Sequence, residues 1–175
     1  MDKNSTGLFS NLKILYKNYG GISEFFTSGY FYTSLFLTVL CWRLTLSCAW
    51  SDLAKSVLPT LSGFSIAAYA IFFSVLDEQT RDALKAPAPT LSNRSPLLMC
   101  ASSISHGVVM QIFGLILAII FTAKPLPTLP CLLNFSNITN IIYSSIGLFV
   151  TIYGILLILA SILSIFRILE ITSKN

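Results

Sequence analysis

Along the chain, apolar residues gather into four long runs, and the segments between them hold almost every charge. No charge lies between Glu24 and Arg43, and the Phe, Tyr and Leu residues there predict a first membrane-spanning helix over 26–46. Lys55 and Asp77 enclose a second uncharged run. It predicts a span over 56–76, with Pro59 in the first turn, where a missing N–H costs nothing. Residues 95–123 carry no charge and predict a third span over 101–122. After Lys124, the first part of a stretch rich in Pro and Asn (Pro125, Pro127, Pro130, Asn134, Asn137 and Asn140) reads as a loop. The apolar run beyond it predicts a fourth span over 140–165, capped by Thr139 or Asn140. Each run approaches the ~20 residues that a helix needs to cross hydrocarbon, and none alternates in polarity as membrane strands do. In the N-terminal segment, 1–24, Leu8, Leu12, Leu15 and Tyr19 recur at helical spacing, with Asn11, Lys13 and Lys17 mostly elsewhere. That pattern predicts a short amphipathic helix lying in the membrane interface. The expected fold is all-α, a bundle of four transmembrane helices occupying 1–175 as one domain.

Composition sharpens this picture. The chain is 54% hydrophobic and 10% charged, with a mean hydropathy of +0.77. A soluble domain carries about 25% charged residues to keep its surface wet, so neither an ordinary soluble enzyme nor a disordered chain fits. The formal charge of +4 comes from scattered Lys and Arg, without a basic run suited to nucleic acid. With four spans, both termini share a side with the connection between the second and third. That side holds Lys3, Lys13, Lys17, Arg81, Lys85, Arg94, Arg167 and Lys174; the other holds Arg43, Lys55 and Lys124. The positive-inside rule then places both termini in the cytoplasm, as in a bacterial inner-membrane protein. Trp42 and Trp50 fall near the outer interface. Cys41, Cys48, Cys100 and Cys131 form no C-x-x-C pair. Cys48 and Cys131 share the outer side, either as a disulfide or as two inert thiols.

Polar residues inside a span are the natural candidates for chemistry, because their burial is expensive. Arg43, near the outer end of the first span, either snorkels to the headgroups or meets a packed partner or a lipid phosphate. In the third span Ser103, Gly107, Gln111, Gly114 and Ala118 follow at spacings of three and four, with His106 at the border. Such a seam serves helix packing, since small residues admit close backbones and Gln hydrogen-bonds across the gap; a hydrated path or a titrating histidine is the sharper alternative. Gly63, Ala67, Ala70 and Ser74 repeat the pattern in the second span, and Ser144, Gly147, Thr151 and Gly154 in the fourth. Three seams exceed what one four-helix bundle satisfies internally, so a homo-oligomer is expected. Beyond the second span, Asp77, Glu78, Arg81, Asp82 and Lys85 extend the helix into the cytoplasm before Pro87 and Pro89 break it. This is either a solvated helix end or a docking surface for a soluble partner. Catalytic signatures are absent, and a single histidine gives no metal site. No cofactor is expected, and the chain reads as non-enzymatic.

Residues 58–70 (Leu-Pro-Thr-Leu-Ser-Gly-Phe-Ser-Ile-Ala-Ala-Tyr-Ala), running into Asp77 and Glu78, together with the four-span plan, resemble the membrane subunit of Kiwa-type antiphage defence systems. The resemblance covers the architecture along the chain and, residue by residue, the second span alone. It implies a homo-oligomeric membrane sensor that holds a cytosolic DNA-binding effector at the inner membrane. Three functional classes follow: an anchor or sensor recruiting a soluble partner; a pore-forming or membrane-depolarising protein whose path is the third-span seam; and a small transporter subunit, for which no broken helix or buried charge pair marks a substrate site.

Overall fold

The structure, a computed structural model, describes residues 7–88, 93–123 and 133–173. These residues form eight helices and no strand: α1 (Leu8–Tyr19), α2 (Ile22–Thr27), α3 (Gly29–Leu40), α4 (Trp42–Leu46), α5 (Trp50–Val75), α6 (Glu78–Lys85), α7 (Pro96–Ala123) and α8 (Leu133–Ser173). Three helices are long and apolar enough to cross a membrane: α5, α7 and the segment Ile138–Glu170 of α8. At 1.5 Å per residue, α5 and α7 reach about 40 Å and α8 about 60 Å. These three helices fit a membrane protein. Lys124, Cys131 and the prolines at 125, 127 and 130 lie outside the described residues.

The region expected to hold one span over 26–46 is instead divided among α2, α3 and α4. Ser28 ends α2 and caps α3 by accepting from the Tyr30 N–H at 3.3 Å. Within α3, the hydroxyls of Thr33, Ser34 and Thr38 donate to carbonyls four residues back at 2.7–2.9 Å. Such back-bonding competes with the helical ladder and bends it, and the helix stops at Cys41 before α4 resumes. Ahead of it, Gly20 (φ +125) and Gly21 (φ +88) turn the chain out of α1, a backbone conformation that favours glycine.

The remaining boundaries shift for identifiable reasons. α5 begins at Trp50, so Pro59 is interior rather than in the first turn. The charges taken as loop markers are accommodated within the helix: Lys55 Nζ meets Asp52 at 2.9 Å and donates to the Thr122 hydroxyl at 3.1 Å. α7 starts five residues earlier than expected, opening on Pro96, a residue suited to a first turn. α8 is already helical at Leu133, so Asn134, Asn137 and Asn140 lie on helix rather than in a loop, and neither Thr139 nor Asn140 is a cap. Asparagine costs a helix only a few tenths of a kcal/mol, and no proline follows residue 130 to stop it.

At one end of the bundle, Trp50, Ala54, Leu58, Ala118, Leu148 and Ile152 form a core between α5, α7 and α8. Trp50 is wholly buried, packing on Phe121 and Tyr143, and Trp42 is exposed. At the opposite end, Leu84 of α6 joins Leu97, Cys100, Ile104 and Ile168. Between them lies a third cluster built on Met110, Val150, Tyr153, Leu157 and Ala160, against which Phe25, Tyr30 and Phe31 pack.

Candidate functional site

The third-span seam is where α7 meets α8. From one end to the other, Ser103 accepts from the Ser164 hydroxyl at 3.3 Å, and Gly107 faces Leu157 and Ser161. Gln111 Nε2 donates to the Gly154 carbonyl at 3.0 Å, and Gly114 faces Leu58 and Val150. The glycines admit close approach, and Gln111, wholly buried, is spent on a bond between helices. On α8, Gly147 is covered by the Trp50 ring, with no room for a side chain, and the buried Thr151 hydroxyl donates to the Gly147 carbonyl at 2.7 Å. Both seams are therefore filled within one chain. The α5 seam is not: Gly63, Ala67, Ala70 and Ser74 lie on the surface, and nothing approaches Gly63.

His106 is wholly buried at the edge of this seam. Its Nε2 lies 3.1 Å from the Tyr153 hydroxyl. Its ring is surrounded by Tyr19 (centroids 4.5 Å apart), Tyr16 (5.5 Å) and Phe25 (6.0 Å). Nδ1 has no hydrogen-bond partner among the described residues. An imidazole enclosed by aromatic rings holds α1 and α2 onto the α7–α8 pair. The sequence pattern marked Tyr19 only as one apolar position of α1. Tyr16, Phe25 and Tyr153 carried no signal that they converge on His106.

The charged segment beyond α5 is a separate helix, not an extension. Leu76 adopts an extended conformation, and Asp77 caps α6 by accepting from the Thr80 N–H at 3.2 Å. Arg81 Nη2 donates to the Phe73 and Leu76 carbonyls at 3.2 and 3.1 Å, satisfying the end of α5. Ser95 donates to the Leu84 carbonyl at 2.9 Å, tying α6 to the start of α7. Of the five docking candidates, Asp77 and Arg81 are thus engaged in building the turn. Glu78, Asp82 and Lys85 face outward with Gln79. A hydrogen bond from the Lys85 ammonium, at 2.7 Å, holds the Asp82 carboxyl below its usual range. Arg43 is exposed on α4 at the Trp50 end of the bundle, far along α8 from this platform. Cys41, Cys48 and Cys100 are free thiols.

Among the described residues no cluster of His, Cys, Asp and Glu has the arrangement of a metal site. Comparison with protein-family profiles, curated proteins and solved structures finds no match.

Proposed function

We propose that this chain is a small non-enzymatic membrane protein, a homo-oligomeric anchor or sensor that recruits a cytosolic effector. The observation that carries the reading is the α6 platform. Glu78, Gln79, Asp82 and Lys85 are presented outward on a helix fixed to the bundle by Leu84, Arg81 and Ser95. Exposed charges on a rigid support suit reversible recognition of a soluble protein, because complementary charge sets encounter rate and selectivity. In this reading α3 and α4, stacked along α8, complete a fourth crossing. Both termini and α6 are then cytoplasmic, as the Lys and Arg bias favours. α1, amphipathic in pattern, lies along the inner interface, and its Tyr16 and Tyr19 rings reach inward to His106. Subunits associate through the open α5 seam. The resemblance to Kiwa-type membrane subunits supplies the effector class, a DNA-binding protein acting in antiphage defence at a bacterial inner membrane. Nucleic acid is touched by that partner and not by this chain.

The test compares the intact protein with a variant carrying Glu78→Lys, Asp82→Lys and Lys85→Glu, both purified from cells that express the neighbouring genes. A soluble protein retained by the first and lost by the second, with membrane insertion unchanged, supports the anchor. Ion leakage from liposomes containing the purified chain alone, abolished by Gln111→Leu, would replace it with the pore.

A further inference from the structure

A crevice of about 520 Å³ opens at the α6 end of the bundle, between the N-terminal segment and the α7–α8 pair. Its volume falls in the range of small-ligand sites. Because α7 and α8 are antiparallel, its levels can be ordered. Pro96 and Arg167 stand at the helix-end side, and Ser103 and Ala160 lie seven residues further in, about 10 Å away. The hydrogen-bonded hydroxyls of Ser103 and Ser164 mark the inner end. Charge is concentrated at the mouth. Glu24 is answered by Arg94 at 3.4 Å. The rim thus carries the Arg167 guanidinium and a Glu24 carboxylate already engaged by Arg94. Apolar walls from Met99 and Leu163 continue inward from it. A second cavity, of about 250 Å³ between α5, α7 and α8, has no charged lining residue and offers nothing to select one amphiphile over another.

We propose that the first crevice binds the headgroup of an anionic phospholipid, with its phosphate on Arg167 and the adjoining chain segments against Met99 and Leu163. The three properties on which this rests are a cation at the level where the helices leave the membrane, hydroxyls beneath it, and an apolar wall leading inward. Basic pockets between transmembrane helices recognise acidic lipids in this way, and guanidinium presents paired donors to phosphate. The inference rests on the membrane reading but not on the recruited partner, and its test measures lipid alone.

Full-length protein in mild detergent is titrated with phosphatidylglycerol or phosphatidylcholine of identical acyl chains, and bound lipid is counted by native mass spectrometry. Phosphatidylglycerol is expected to bind about tenfold more tightly, because both headgroups offer the phosphate but only choline adds a cation that the Arg167 guanidinium repels. Arg167→Gln should bring the two lipids to parity, Arg167→Lys should restore part of the preference, and Arg43→Gln, at the other end of the bundle, should change nothing. Ser103→Phe fills the inner end without altering charge and should weaken phosphatidylglycerol binding in a chain whose helical circular dichroism is intact. Equal binding of both lipids by the native chain overturns the proposal, as does a preference that survives Arg167→Gln. Displacement of the lipid by free glycerol phosphate would reassign the crevice to a soluble phosphate and likewise overturn it.

Discussion

The seams of α7 and α8 and the seam of α5 are written in the same alphabet of Gly, Ala, Ser and Thr at spacings of three and four, yet they end in opposite situations. Gly107, Gly114, Gly147 and Gly154 are buried against Leu157, Leu58, Trp50 and Gln111 of the same chain. Gly63, Ala67, Ala70 and Ser74 face outward. The difference arises along α5 itself. Its first third carries Trp50, Ala54 and Leu58 into the core, whereas beyond Pro59 only Ser65 is buried. A small-residue seam thus states that a backbone can come close, and the neighbouring large side chains decide which one does. Trp50 fills the notch at Gly147, and no residue of the described chain fills the notch at Gly63.

The contrast is broken most severely at its closed side. Trp50→Ala should cost about 3–5 kcal/mol, and Gly147→Leu about 1–3 kcal/mol or more through overpacking, both read from thermal unfolding in detergent. In the double variant the two losses should fall short of their sum, because truncating Trp50 opens the space that the leucine would otherwise overfill. Additive losses would mean that Trp50 and Gly147 do not meet. Gly147→Leu therefore reports on the fold of one chain and cannot serve as a test of subunit association.

Next in size is Arg81→Glu, which leaves the Phe73 and Leu76 carbonyls without their donor and should cost about 1–3 kcal/mol. Lys85→Glu, on the same helix, exchanges one side of an exposed pair and should stay within about 0.5 kcal/mol. Equal effects would dissolve the distinction between the residue that builds the α5–α6 turn and the one presented on its surface. Gln111→Leu should cost about 0.6–2 kcal/mol, the range for a hydrogen bond between transmembrane helices, and a gain in stability would show that the Gly154 bond is not formed.

The smallest effect on folding belongs to the open seam. Gly63→Leu should change unfolding by less than about 0.5 kcal/mol, as at any unpartnered surface, while lowering the mass of the detergent-solubilised assembly. An unchanged assembly mass would remove α5 from the subunit contact.

The charge-free runs alone determined that this chain is helical and apolar enough to span a membrane, and they located α7 and α8, because burying backbone in hydrocarbon demands long uninterrupted helices. They could not reveal that the first run breaks at Ser28 and Cys41, since Ser and Thr hydroxyls are compatible with either a straight or an interrupted helix until their acceptors are fixed. Asp52 and Lys55 concealed the start of α5 for a related reason: a charge reads as a boundary unless its partner, here partly Thr122 from another helix, is known. His106 and Gln111 were legible as costly polar residues, but their partners were not. Tyr153 and Gly154 lie more than 40 residues away in sequence. Local pattern sets which elements form and which faces are small or polar; only packing decides which faces meet, because that choice depends on the shapes of side chains brought together from distant parts of the chain.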